Sequence, residues 1–204
     1  MRRTLLLSLL SIGLSASALA AGPVRFGLHG NAAFLNVPEP VKEAYGFGYG
    51  GGAHLDISLV VLSVRVTGDY ISFPIDEGKF KSILALAAGG VNASDFQFDG
   101  GRIGILSFAV NGKMGLPVPV FSPYITAGAG LASISVSDLS ITYQGQPVVS
   151  AAGQKAETKF SINAGVGADL DIIVATLFIE AKYTLIFTEG ESSSYVPVTL
   201  GITF

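Results

Sequence analysis

The chain has 204 residues, is half apolar and only 13% charged, carries a net charge of −3, and contains 26 glycines and no cysteine. Ordinary soluble domains are about 25% charged and about 7% glycine. The apolar content excludes a disordered linker, the acidic balance speaks against a nucleic-acid binder, and the missing cysteines exclude disulfides, thiolate metal sites and a catalytic thiol.

Met1-Arg2-Arg3, an apolar run from Leu5 to Leu14 and the small-residue ending Ala18-Leu19-Ala20 follow the pattern of a secretory signal peptide. The spacing predicts cleavage after Ala20, leaving a domain over 21–204. The run is shorter than the roughly 20 residues that a spanning helix needs. No later stretch qualifies either, since Ile172 to Ile179 is interrupted by Thr176. An exported chain of this kind can enter a membrane only as a closed β-barrel, because in lipid only helices and closed barrels satisfy every backbone group.

The body alternates with period two, the mark of strands with unlike faces. Eight segments of roughly ten residues emerge, the length of a tilted membrane strand. Apolar faces run Phe26 to Phe34, Phe47 to Ile57, Leu62 to Tyr70, Leu106 to Leu116, Phe160 to Ile172, Leu177 to Phe187 and Val196 to Phe204. Tyr124 to Val136 alternates more weakly, because Gly128 and Gly130 blur its faces, and a bulge is expected near Ser133. Connections near Leu59, Pro117 to Ser122 and Val174 are short. Those at Leu35 to Tyr45, Phe73 to Gly101, Val136 to Thr158 and Thr188 to Ser194 are mostly long. Such sorting is what outer-membrane barrels show, the short turns being periplasmic.

The charges fit the same reading. Nine fall in the strands: Arg25, Asp56, Arg65, Asp69, Lys113, Asp169, Asp171, Glu180 and Lys182. All lie on the polar face, which is expected to line the lumen. A charge on the lipid face would cost about 2–4 kcal/mol at mid-depth for Lys or Arg. The polar face is also rich in small residues such as Gly27, Gly48, Gly50 and Gly165, which suits the narrow interior of an eight-stranded barrel. A soluble barrel would alternate as well, with its apolar face inward.

With the leader, the eight alternating segments and the ending Val196-Pro-Val-Thr-Leu-Gly-Ile-Thr-Phe204, the chain resembles the OmpA/OmpX-type superfamily of small outer-membrane β-barrels. Pro123-Tyr124-Ile-Thr-Ala-Gly128-Ala-Gly130 is similar to a strand start common in those proteins. The resemblance implies an all-β, eight-stranded, antiparallel up-and-down transmembrane barrel in a bacterial outer membrane, with both termini periplasmic. It further implies that the barrel assembly machinery reads the last strand through Phe204, Ile202, Leu200 and Val198. Tyrosine and phenylalanine would form the interfacial girdles, since the chain has no tryptophan.

Chemistry-bearing patterns are sparse. Gly46-Phe-Gly48-Tyr-Gly-Gly51 has dinucleotide-loop spacing but runs into a strand rather than a helix. His29 and His54 both face the lumen, and no catalytic, metal or cofactor site is expected. Asp76 to Gly90 reads as an N-cap, an apolar stretch and a glycine stop, hence a short helix on the second long loop. An extra hairpin, making ten strands, is the alternative, and a third is an apolar side lying on lipid. The near balance of four lumen bases against five acids favours mutual pairing and a largely plugged lumen over a pathway, which would show rings of one sign. A structural or interaction barrel with surface loops is therefore expected. The alternatives are a narrow porin-like channel and, less favoured, a lipid-modifying barrel enzyme. The outer-membrane lipid and the assembly machinery are the expected partners, with no nucleic acid.

Overall fold

Strands that are apolar on one face and polar on the other, with no helix to cover either, satisfy their edges by closing on themselves. The computed structural model describes residues 24–36, 44–45, 47–59, 62–87, 89, 92–116, 118, 120–188 and 192–204. The predicted leader, 1–20, lies outside the described residues. In chain order the elements are β1 (Val24–Asn36), β2 (Gly48–Ser58), β3 (Ser63–Phe73), α1 (Glu77–Ala87), β4 (Phe96–Gly100), β5 (Ile103–Gly115), β6 (Phe121–Val136), β7 (Leu139–Tyr143), β8 (Gln146–Ala151), β9 (Gln154–Ile172), β10 (Ala175–Ile186) and β11 (Ser193–Thr203).

Eight strands form a closed antiparallel barrel in the order β1-β11-β10-β9-β6-β5-β3-β2. The seam joins the two ends of the sequence: Gly27 lies opposite Thr203 and Asn36 opposite Ser194. The Phe204 N–H donates to the Phe26 carbonyl at 2.7 Å below it. The faces are inverted relative to a soluble barrel. Phe108 and Val166 are more than 60% exposed on the outer wall, while Asp56 and Asn111 are 1% exposed within. The soluble alternative is thereby set aside.

At one end, β2–β3, β5–β6 and β9–β10 join through short turns. At the other, the long connections build a separate module. The helix in the second long loop is α1. Asp76 caps it, its Oδ1 accepting from the Lys79 N–H at 3.2 Å. The barrel stays at eight strands, so the ten-stranded alternative does not hold. The additional strands instead form a three-stranded sheet, β4-β7-β8, outside the barrel. Its small core gathers Phe96 and Ile141, with Phe80 of α1 packed against them. The stretch from 136 to 158, whose sequence predicts a loop, holds the β7–β8 hairpin, and β9 starts at Gln154, well before Phe160. Gln144 and Gly145 turn that hairpin with φ of 50° and 78°, the paired positive angles that match strand twist. The irregularity expected near Ser133 falls between Ile134 and Val136.

Candidate functional site: the barrel lumen

Interior room comes from glycine. A Cβ on Gly27 would meet the His54 ring, and one on Gly48 would meet Phe73. Gly48 therefore serves packing, and the Gly46–Gly51 spacing opens no helix; Gly46 itself lies outside the described residues. The large lumen side chains stack in layers along the axis.

Nearest the turn end, Arg25 Nη1 donates to the Thr176 hydroxyl at 3.2 Å. That hydroxyl donates in turn to Asp171 at 2.7 Å, so Arg25 and Asp171 are linked through it rather than directly. One step inward lies the main ionic layer. Arg65 grips Asp56 with two hydrogen bonds, Nε to Oδ1 at 2.6 Å and Nη2 to Oδ2 at 2.8 Å. This planar fork is the geometry for which arginine is suited. The two face each other across the β2–β3 hairpin. The Arg65 guanidinium also lies 4.4 Å from the Phe178 ring centre and 3.9 Å from Glu180. Lys113 donates to both oxygens of Asp169, at 2.9 and 2.6 Å, and sits 3.9 Å from the Tyr124 ring centre. Lys182 pairs with Glu180 at 2.8 Å.

Asp69 bonds to a separate row of side chains. It accepts from His29 Nε2 at 2.6 Å and from Asn31 Nδ2 at 2.7 Å. His29 meets His54 through their Nδ1 atoms at 3.2 Å, and His54 Nε2 meets the Thr203 hydroxyl at 2.9 Å. Asp69, Asn31, His29, His54 and Thr203 thus form one continuous row of hydrogen-bonded side chains, in which each histidine ring engages a neighbour through both nitrogens. The row continues through Asn31, whose Oδ1 accepts from Thr199 at 2.7 Å. Both histidines point inward, away from the lipid-facing rim that a lipid-modifying site would occupy. Among the described residues, no three His, Asp or Glu side chains gather in a metal-binding group.

Beyond a small polar cavity lined by Asn31, Asp69, Asn163, Lys182 and Thr199, the lumen changes character. Ala33, Ile71, Phe73, Ile105, Ala132, Ile186 and Tyr195 form a buried apolar cluster toward the loop end. Phe73 and Tyr195 meet edge to face at 6.3 Å. The sequence reading missed this cluster by taking the whole inward face as polar. Its signal was present where alternation fails, in Tyr70-Ile71-Ser72-Phe73 and in Ile103 to Leu106.

The last strand presents Leu200 outward, 62% exposed, with Val198 and Ile202 on the same wall.

A family model for the outer membrane protein beta-barrel domain matches residues 6–203. Among solved structures, Neisserial surface protein A is 10% identical with a TM-score of 0.56, over 89% of this chain and 96% of that one. A major outer membrane protein of Thermus thermophilus is 13% identical with a TM-score of 0.54, over 90% of this chain and 99% of that one. These likenesses are of fold. No curated protein matches.

Proposed function

Because the chain belongs to the outer membrane protein beta-barrel domain family and lies in the bacterial outer membrane, we propose that it is a non-conducting structural and interaction barrel. It holds the loop-end module at the cell surface. The observation that carries this reading is the double closure of the lumen: an ionic layer about Arg65 and, above it, the apolar cluster about Phe73. A hydrated pathway would have to cross both. The module supplies the surface: α1 packs on β4 through Phe80 and Phe98, whereas every residue of β8 is exposed.

Export by a leader cleaved after Ala20, and recognition of Phe204, Ile202, Leu200 and Val198 by the assembly machinery, complete the proposal. The short turns then face the periplasm. No catalytic role is assigned to the histidines, whose ring nitrogens all engage neighbouring side chains. The test is conductance of the purified protein in a planar bilayer. Silence is expected, and large stable steps would replace this reading with that of a narrow channel.

A further inference from the structure

The three short turns carry no charged residue: Leu59-Val-Val-Leu62, Leu116-Pro-Val-Pro-Val-Phe121 and Ile172-Ile-Val-Ala175. Apart from the buried Ala175, their described side chains are large, apolar and outward. Leu59 is 57% exposed, Leu116 64%, Val120 63%, Val174 72%, and Ile173 is entirely free. The nearby charges Asp56, Arg65, Lys113 and Asp169 are turned into the lumen, while Asp171, exposed at the rim, accepts from the Thr176 hydroxyl. At the loop end the situation is reversed, with Asp76, Glu77, Lys79, Lys81 and Glu157 facing water.

Val120 adds a second observation. It adopts φ of 72°, a conformation rarely tolerated by a β-branched residue. Its carbonyl accepts from the Asp171 N–H at 3.0 Å. The β5–β6 turn is thus fixed against the end of β9, and its apolar side chains adjoin Ile172 to Val174 in one surface. In water, that surface would combine backbone strain with exposed hydrocarbon.

Continuity with the lipid-facing wall identifies what covers it. On the outer wall the half-exposed tyrosines Tyr49, Tyr70 and Tyr183 stand toward the loop end, where an interfacial girdle belongs. From Tyr49 to Leu59, and from Tyr183 to Ile173, is ten residues. At about 3.3 Å per residue and a tilt near 40°, ten residues span roughly 25 Å along the axis. That is about the whole height of the apolar band of an outer-membrane barrel. The outward aromatics Phe34, Phe47, Phe160 and Phe187 carry the apolar wall to the loop end, and at the other end the turns continue the same wall without a break.

We propose that the turn end is a lipid-binding collar. Leu59, Leu116, Val120, Phe121, Ile173 and Val174 lie in the acyl region of the inner leaflet, continuous with the barrel's outer wall, and do not project into the periplasm. The occupant is phospholipid hydrocarbon.

The cysteine-free chain allows a direct test. Single variants Ile173→Cys and Val120→Cys are spin-labelled and folded into phospholipid vesicles, with folding checked by heat-modifiable migration on a gel. Val110→Cys on the mid-barrel wall is the lipid reference, and Val148→Cys on β8 the water reference. Collisions with oxygen and with a water-soluble nickel chelate are compared. The expected result is that labels at 173 and 120 are oxygen-accessible and shielded from nickel, as at 110. Nickel accessibility matching position 148 would overturn the proposal. So would protection from both reagents, which would indicate a protein partner or a second copy over the turns. Either result leaves the conductance prediction untouched.

Discussion

The two closures of the lumen use opposite chemistry. Near the turns, Arg65, Asp56, Lys113, Asp169, Glu180 and Lys182 hold the interior with charge-assisted hydrogen bonds. Near the loops, Phe73, Ile71, Ile186 and Tyr195 hold it by exclusion of water. A buried ion pair gains little over well-packed apolar residues, yet it is costly to break from one side. The apolar closure responds in proportion to the volume removed. The difference teaches that the ionic closure is brittle toward single substitutions, while the apolar one degrades gradually.

Breaking both closures together has the largest expected effect. The double variant Arg65→Ala with Phe73→Ala is expected to conduct in planar bilayers, whereas each single variant, closed by the remaining layer, stays silent. Arg65→Ala alone leaves Asp56 without its fork and is expected to cost about 3–5 kcal/mol in unfolding by denaturant. Adding Asp56→Ala should recover part of this, and a double variant no better than the single would show that the pair is not the unit of that layer. Phe73→Ala is expected to cost about 3 kcal/mol, with no rescue by changing a single partner, because packing has no one complementary group. The smallest effect lies outside the lumen. Asp76→Ala removes the cap of α1 and is expected to cost about 1 kcal/mol, seen as faster hydrogen exchange in α1 with the barrel's unfolding midpoint unchanged.

Legibility in the sequence followed the same physical division. Barrel strands are readable because lipid outside and charge inside enforce alternation over ten residues. The Asp56–Arg65 pair is readable because a tight turn at Leu59 sets them opposite each other. The His29–Asp69 contact was hidden, since the two belong to strands that are not neighbours. They meet over Gly52, which lies opposite both in the register and where a Cβ would come within 2.8 Å of His29 and 2.9 Å of Asp69. An absent side chain leaves little trace in a pattern of faces. The β7–β8 hairpin was overlooked for another reason: Gln144-Gly145 is a weaker turn signal than Asn-Gly or Asp-Gly.

The seam between β1 and β11 sets the order of assembly. Its ten register pairs join residues as far apart in sequence as Gly27 and Thr203, so closure depends on contacts that are slow to find. Until β11 arrives, β1 carries a row of unpaired amides and carbonyls along an apolar-faced strand, an open template for any other strand in the periplasm. The first strand is therefore open to mispairing until the seam closes. Its safety is kinetic, resting on how soon the last eleven residues reach it.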